Sequence, residues 1–284
     1  MTETGTLVHD APEPPPPPHR STGDVVRMIL RGFGQTLITA GVVVLLFLVY
    51  EVYVTNWFAD RAQAKVHSAL EKEWANGDDP LLPLPGGGVT QLPAGEGIAN
   101  LYIPRLGRDF AWTIVQGGSY GVSQEELNKG PVHYAGTALP GQRGNFGVAG
   151  HRVGHGEPFL NLDKLRPGDA VIVETAKDWY VYTVLGNPQT GDLSATSPPV
   201  DVPGREIVSP GDGDVLRPWP DHVTPSNYQP VFRLMTMTTC TPKFSATSRM
   251  IVHAQLTPGE TFAKPKDDSP MPSQVKALYN EVSS

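Results

Sequence analysis

Hydrophobic residues occur in two patterns along this chain: one long uninterrupted run near the N-terminus and many short stretches farther on. The long run extends from Gly32 to Tyr50 and contains no charged residue. A helix needs roughly twenty such residues to cross the hydrocarbon core of a bilayer. The buried helix of a soluble protein is usually shorter and carries a polar face. We therefore predict a transmembrane helix over residues 32–54.

The charges on either side of this run predict its orientation. Arg20, Arg27 and Arg31 precede the run, whereas Glu51 and Asp60 follow it. Because basic residues collect on the cytoplasmic side of a membrane, we predict a single-pass cell-membrane protein with a cytoplasmic N-terminus and an extracellular remainder. A cleaved signal peptide is the alternative, but the run is long, begins late and lacks a small-residue cleavage site after it.

The short apolar stretches lie between residues 97 and 257 and are typical of β-strands. Segments such as "VIVET", "WYVYTVLG", "VFRLMTMTT" and "RMIVHAQL" are rich in β-branched and aromatic residues. Turn sequences such as "RPGD", "PGQRGN" and "SPGDGD" separate them, and "VIVETAKDWYVYTV" has the pattern of one hairpin. We predict a mainly β domain of about 160 residues, built from an antiparallel sheet that is closed or sandwiched.

The remaining segments are polar. Residues 1–31 contain "APEPPPPPHR", which cannot build a core, so they predict a disordered Pro-rich cytoplasmic tail; a proline-rich ligand for a partner is the other interpretation. Residues 55–96 contain the helix-forming stretch "ADRAQAKVHSALEKEWA" followed by a Pro- and Gly-rich segment, which predicts an extracellular stalk helix and linker. Residues 258–284 form a polar C-terminal tail in which "QVKALYNEV" has a short helical pattern.

Charge and motifs exclude several classes of function. The formal net charge of −7 argues against nucleic-acid binding, which needs clustered Lys and Arg. The chain has no glycine-rich phosphate loop, and its Cys and His residues do not follow zinc-ligand spacings, so we predict no cofactor and no metal. An acidic stretch over residues 192–214 matches no calcium loop and is predicted to be solvated. Its members are Asp192, Asp201, Glu206, Asp212 and Asp214.

Cys240 is the only cysteine of the chain, so in an extracellular protein it has no partner for an internal disulfide. It is therefore either a small buried hydrophobe or a reactive thiol. Cys240 stands where the strand "FRLMTMTT" meets a Thr-Pro turn, a place that exposes a side chain at the rim of a sheet. Arg249 begins the next apolar stretch, and a hairpin would bring this cation beside the thiol, where a positive charge favours the reactive thiolate.

Histidine is the other group that activates a thiol, and "GNFGVAGHRVGHGEPF" supplies the best candidate. His151 follows a small apolar strand and lies at its end. The adjacent Arg152 should point to the opposite face and is interpreted as structural. His253 shares strand parity with Arg249 but lies about 13 Å farther along the strand, so we interpret it as a packing or surface residue. The histidines that compete with His151 are His133, His155, His222 and His253.

These motifs together resemble the sortase family. "TMTTC" ending at Cys240, Arg249 at the start of the following strand and "GHR" around His151 occur in the family's order, and the resemblance covers residues 97–257. Met237 replaces a leucine that is usual in the family, which is a volume-conserving change. The segment "HYAGTALPGQ", the N-terminal span and the lack of a C-terminal one resemble the class E sortases of high-GC Gram-positive bacteria in particular.

The resemblance implies an eight-stranded sortase-type β-barrel and a cysteine transpeptidase, a thiol protease of the hydrolase class. By this analogy Cys240 attacks the Thr–Gly bond of a Leu-Ala/Pro-x-Thr-Gly sorting signal in a secreted protein. His151 protonates the departing amine, and Arg249 holds the oxyanion or the substrate backbone. An amine of a lipid-linked peptidoglycan precursor then releases the thioester and joins the cargo to the cell wall.

Four further residues are candidates for substrate binding. Class E sortases tend to accept Ala where other sortases take Pro, and Ala offers a backbone N–H that Pro lacks. Tyr134, in the loop before the His151 strand, carries a hydroxyl that can accept from this N–H, although a packing role is the alternative. His133 in the same loop is expected to shape the site. Thr238 and Thr239 precede Cys240 in its motif.

Three other classes of protein share part of this pattern. An L,D-transpeptidase also uses Cys, His and Arg, but its arginine follows the cysteine more closely than Arg249 follows Cys240. A pilus-polymerising sortase would carry a C-terminal span, which "QVKALYNEVSS" is not. A non-catalytic wall or pilus scaffold on a sortase barrel would have no reason to keep all three matched residues.

Overall fold

The structure, a computed structural model, describes residues 22–50, 55–82, 92–119, 121–196, 198–265 and 271–281. These residues divide into two compact units, an N-terminal helix up to Val49 and the region from Tyr50 onward. Most of the predicted Pro-rich tail and the middle of the predicted linker lie outside the described residues.

The N-terminal helix α1 (Thr22–Val49) is long and apolar enough to cross a membrane, because its most apolar 18-residue window has a mean hydropathy of 2.1. The helix begins ten residues earlier than predicted, since backbone hydrogen bonding continues through the polar turns that precede the apolar run. Its hydroxyl groups are internally bonded, as Thr36 donates to the carbonyl of Gly32 and Thr39 to that of Gln35, both at 3.0 Å. Such bonds reduce the cost of placing a hydroxyl in hydrocarbon.

Eight strands close into a barrel, which confirms the fold that the family resemblance implied. The described strands are β1 (Gly97–Tyr102), β2 (Ala111–Gln116), β3 (Val132–His133), β4 (Gly144–Ala149), β5 (Ala170–Glu174), β6 (Asp178–Val184), β7 (Arg205–Val208), β8 (Arg233–Thr241) and β9 (Ser248–Ala263). Around the ring the order is β6, β5, β1, β2, β3, β4, β8 and β9, and pairing of β6 with β9 closes it. A ninth strand, β7, extends the edge of β9 beyond its contact with β6. Neighbours are antiparallel except for the parallel pairs β2–β3 and β4–β8.

Alternation along the strands separates a barrel interior from an outer face. Met235 and Met237 of β8 belong to the central core, together with Val252 and Ala254 of β9. Because successive strand residues point to opposite sides, the even-numbered residues of β8, which end in Cys240, lie on the outer face. The predicted hairpin is β5–β6, in which Glu174 is paired with Trp179.

The predicted stalk helix exists as α2 (Thr55–Ala75), but it lies against the barrel. Ala59 and Leu70 are buried, and Gln63 between them bonds to the backbone of β2 at Thr113. These residues are four and seven positions apart, about one and two helical turns, and so lie on one face of the helix. The face is short and half polar, so composition alone indicated only the helix and not its docking.

Two short helices complete the described fold. The helix α3 (Gln124–Leu127) starts with a capping box in which Ser123 and Glu126 bond each other's backbone N–H. The predicted C-terminal helical pattern forms α4 (Ser273–Glu281), whose fully buried Val275 packs with Trp179 in a second small core. Both helices cover the outside of the barrel.

Candidate active site

The β8–β9 hairpin places Cys240 directly opposite Arg249. Cys240 is half-buried and its thiol is free. Arg249 is held by its own turn, because Nη1 donates to the carbonyls of Ala246 and Ser248 at 3.2 and 3.1 Å. The prediction that a hairpin brings this arginine beside the cysteine is therefore confirmed.

His151 reaches the same end of the barrel through the parallel pairing of β4 with β8. Ala149 is paired with Thr238, and His151 and Cys240 each follow two residues later. The strands stay joined beyond this pair, since the N–H of Gly150 donates to the carbonyl of Thr238 at 3.0 Å and Thr239 donates to the carbonyl of Gly150 at 2.8 Å. Because these parallel neighbours end together, His151 and Cys240 lie at the same end of the barrel.

The environment of His151 favours the neutral imidazole. Burial lowers its pKa to about 4, and the nearby His155 acts in the same direction; the two rings are 5.2 Å apart. The carboxamide of Gln124 lies 2.9 Å from Nε2 of His151. At neutral pH the ring can therefore accept a proton.

Tyr134 lies against the same outer face as Cys240. Its hydroxyl and that of Thr238 are 2.8 Å apart and share a hydrogen bond. Burial raises the pKa of Tyr134, while the hydrogen bond with Thr238 and the charge of Arg249 act against this rise. Thr238 is two residues before Cys240 on the same strand, so the two side chains are neighbours on the outer face. The hydrogen bond to Thr238 therefore holds the hydroxyl of Tyr134 next to the position of the thiol.

His133 and Thr239 point into the protein, so we reassign both from substrate contact to support of the site. His133 is 2% exposed and its ring packs against Phe146. Its Nε2 lies 3.1 Å from the carbonyl of Ala138, which fixes the Tyr134 loop, and burial lowers its pKa to about 4. Thr239 has the parity opposite to Cys240 and binds the backbone before His151.

Arg152 connects the two strand ends from the inner side, in agreement with the predicted structural role. It is 7% exposed, its Nη1 donates to Oγ1 of Thr241 at 2.7 Å, and its Nη2 pairs with Asp163 at 3.1 Å. Arg152 directly follows His151 and Thr241 directly follows Cys240, so this hydrogen bond joins the chain segments that carry the imidazole and the thiol.

A hydrogen-bond chain that the sequence analysis missed runs from buried residues of β8 and β9 through β7 to the exposed Asp221. His253 is fully buried, with Nδ1 2.9 Å from Thr236 and Nε2 2.9 Å from Glu206. Asp221 is hydrogen-bonded to Glu206. Glu206 is therefore not part of a solvated loop as predicted, since it anchors the 205–221 segment to the outer face of the sheet.

Three members of this hydrogen-bond chain have ligand atoms that could share a cation, because these atoms all lie within 4.8 Å of one another; among the described side chains, this is the group with that geometry. Its members are Glu206, Asp221 and His253. The hydrogen bonds that join them already use these atoms. Gln124 was also missed as a residue of the site, because a lone glutamine carries no signal of function, although the segment "SQEELNK" around it predicts the helical turn that the structure shows.

Comparison with known proteins shows which family the chain resembles. Residues 101–257, more than half of the chain, match the sortase domain family. Sortase SrtE1 of Streptomyces coelicolor is 37% identical over 245 residues, which are 84% of this chain and 60% of SrtE1, so the chain spans less than two thirds of that relative. Sortase SrtE2 of the same organism is 31% identical over 84% of this chain and 85% of its own length.

A solved structure shares the fold as well. The SrtF sortase from Corynebacterium diphtheriae is 38% identical and superposes with a TM-score of 0.56, covering 69% of this chain and 97% of the SrtF chain. The range matched by the family includes Cys240, His151 and Arg249. This chain therefore belongs to the sortase family, and its relatives assign it to class E.

Proposed function

We propose that this sortase is a membrane-anchored cysteine transpeptidase that cleaves a Leu-Ala/Pro-x-Thr-Gly signal between Thr and Gly. It then joins the cargo to an amine of a lipid-linked peptidoglycan precursor. The observation that carries the proposal is the pairing of Cys240 with Arg249 across the β8–β9 ladder, with His151 at the end of the adjacent parallel strand. Nucleophile, cation and base thus share one rim.

Acylation begins with a neutral pair. His151 accepts the thiol proton while Sγ of Cys240 bonds to the carbonyl carbon of the signal's threonine, and the carbonyl π electrons move to oxygen. Arg249 stabilises the resulting oxyanion, because a fixed cation in a partly desolvated site interacts strongly with developing negative charge.

Collapse of this intermediate breaks the Thr–Gly C–N bond. The imidazolium of His151 gives its proton to the glycine nitrogen, which leaves as a neutral amine, and the thioester remains on Cys240. A ring with a pKa near 4 is a strong acid once protonated, so burial of His151 favours proton transfer to a poor leaving group.

Deacylation repeats these steps in reverse with the acceptor. An incoming amine attacks the thioester carbonyl, His151 takes its excess proton, and the C–S bond breaks to return the thiolate. The thiolate regains its proton from His151, and the cargo is now joined to the acceptor by an amide.

We assign recognition of the signal's second position to Tyr134. Its hydroxyl can donate to Thr238 at 2.8 Å and keep a lone pair for an amide of the substrate. A signal with Ala at this position offers such an N–H, whereas Pro does not.

The proposed location of the enzyme follows from α1 and the charges around it. Arg27 and Arg31 lie in the first half of α1, before its apolar part, so the positive-inside rule places the N-terminus in the cytoplasm. The catalytic domain, residues 97–257, would then lie outside the membrane, where cell-wall precursors and secreted cargo are found.

Direct detection of the thioester tests the proposal. Full-length protein in detergent micelles is incubated with a Leu-Ala-x-Thr-Gly peptide, with and without a glycine or diaminopimelate amine, and analysed by mass spectrometry. We expect an acyl adduct on Cys240 without amine and a ligated peptide with it, and neither with Cys240→Ala. A protein whose thiol reacts with iodoacetamide but never forms the adduct would instead be a non-catalytic scaffold.

A further inference from the structure

The helix α2 contacts the two segments between which His151 is held. One segment is the loop that follows His151, and the other carries α3, whose Gln124 touches the imidazole at 2.9 Å. We infer that α2 is a working part of the active site and that Asn56, in its first turn, is a positioning residue for His151. This inference rests on the proposed role of His151.

The contact of Asn56 fixes the loop after His151. Oδ1 of Asn56 accepts a hydrogen bond from the N–H of Gly156 at 3.0 Å. Gly156 has a φ of 80°, and a Cβ added there would lie 2.7 Å from the ring of Trp112 and 3.4 Å from Ala59. Only glycine fits between α2 and the barrel at this position. Asn56 therefore binds the loop where the gap between the helix and the barrel is too narrow for a side chain.

The loop transmits this restraint because it is closed by its own hydrogen bonds. The N–H of Phe159 donates to the carbonyl of His151 at 2.9 Å, and the carboxylate of Glu157 accepts from the N–H of Gly154 at 3.0 Å. These bonds join residues 151–159 into one hydrogen-bonded loop. Displacing Gly156 would displace His151.

A second contact of α2 supports the opposite side of the imidazole. The carboxamide of Gln63 donates to the carbonyls of Thr113 and Lys129. Lys129 ends the short segment that contains α3, and Gln124 begins that helix. The two carboxamides of α2, at Asn56 and Gln63, thus restrain the segments on either side of His151.

Substitution of Asn56 separates positioning from stability. Asn56→Ala removes the acceptor, and because alanine is the better helix former the variant keeps α2 intact. Asn56→Asp keeps an oxygen acceptor for Gly156. Ser68→Ala is the matched control, since Ser68 bonds only to its own helix at Lys65 on an exposed turn. All variants are prepared as the full chain in detergent micelles.

Three measurements are compared: kcat and KM with the sorting-signal peptide, the pKa of His151 by NMR of labelled histidine, and the thermal midpoint. We expect Asn56→Ala to lower kcat about 10- to 100-fold, the cost of a small misplacement of a catalytic group, with KM near the parent value. The pKa of His151 should rise from about 4 toward the ordinary histidine value of 6.5, because a loosened loop exposes the ring and separates it from His155. Asn56→Asp and Ser68→Ala should behave as the parent.

Parent-like kcat and His151 pKa in Asn56→Ala would overturn the inference. The inference would also be overturned if Asn56→Ala and Asn56→Asp both lost kcat in proportion to a fall in their thermal midpoints. Asn56 would then act on stability alone. The NMR comparison needs no turnover. It therefore decides the positioning of His151 even if the parent fails to form a thioester, a result that would overturn the proposed function separately.

Discussion

Cys240 and Arg249 are direct partners in the β8–β9 ladder. Side chains paired in this way have Cβ atoms about 4.5–5.5 Å apart, so the backbone register fixes the points from which the thiol and the guanidinium extend. A one-residue slip in either strand would turn one of the two to the opposite face. The long interior ladder of β8 and β9, with its buried methionines, protects this register.

Replacing Arg249 by lysine tests whether its shape matters. We expect Arg249→Lys to lower kcat/KM at least tenfold although the charge is retained, because lysine cannot reproduce the planar set of donors that holds the turn carbonyls and the oxyanion together. Steady-state kinetics with the sorting-signal peptide measures the loss. Arg233→Lys, at the exposed start of β8, is the control. Parent-like kinetics would mean that Arg249 contributes only positive potential, and an equal fall in thermal midpoint would mean a structural role.

Removal of the imidazole tests the acid–base role. His151→Ala should lower kcat by roughly 10²–10⁴-fold, the usual contribution of a positioned acid or base, while the fold is kept. The neighbouring His155→Ala is the control and should retain most of the turnover. It should also raise the pKa of His151, since His155 helps to depress it. A His151→Ala enzyme with near-parent kcat would end the proposed mechanism.

The choice between Ala and Pro signals should depend on one hydroxyl. Tyr134→Phe is expected to narrow the preference for Leu-Ala-x-Thr-Gly over Leu-Pro-x-Thr-Gly by roughly tenfold or more, because an unpaired buried N–H costs about 1–3 kcal/mol. The ratio of kcat/KM for the two peptides measures it. Tyr180→Phe removes a hydroxyl on β6 and should leave the ratio unchanged. If both variants keep the parent ratio, Tyr134 does not read this position.

The Glu206–Asp221 pair predicts a local dependence of stability on pH. Partial burial raises the pKa of Asp221 from its ordinary value of 3.8 to about 6, and the neighbouring Glu206 contributes to the rise. Between about pH 4 and 6 the folded state therefore keeps a proton on Asp221 that the unfolded state has lost. The stabilisation that this proton provides is fully present below about pH 4 and disappears as the pH rises through 6. Asp221→Asn should remove the dependence and stabilise the protein at pH 7 relative to the parent.

The effect of Asp221→Asn should be below about 1 kcal/mol, because the group is largely exposed and solvent screens it. Urea unfolding of variant and parent at pH 4.5 and 7 measures the difference, and taking the difference cancels the opposite slope of the histidines with lowered pKa. Asp109→Asn, an exposed carboxylate elsewhere on the barrel, should show no such change. A variant less stable than the parent at pH 7 would show that ionised Asp221 is stabilising.

Local pattern was enough to predict the parts of the site that depend on adjacent strands. The hairpin that joins Cys240 to Arg249 follows from two apolar stretches and a short turn. The strict two-residue period would also have separated Thr238 from Thr239, because neighbours on a strand cannot both face the groove. Treating both as substrate contacts neglected that rule.

Contacts between distant segments were not accessible in the same way. The bond between His253 and Glu206 joins residues 47 positions apart, and no composition or period predicts such a pair. Docking of α2 was missed for a related reason: its buried face combines Ala59 and Leu70 with the polar Gln63, and a polar residue that bonds to the backbone of a sheet looks like a solvent-facing one in the sequence.

The parallel pairing of β4 with β8 has a consequence for the order in which the enzyme acquires activity. Thr239 and Gly150, which join these strands at the site, are 89 residues apart in the chain, so the loop between them must close before the thiol meets its base. Closing a long loop costs entropy that only later contacts repay. Because this strand pair is part of the ring itself, thiol and imidazole meet only as the barrel assembles. In the proposed mechanism, a partly folded chain therefore carries a cysteine without its base. Cys240 becomes a reactive nucleophile only when the barrel is complete.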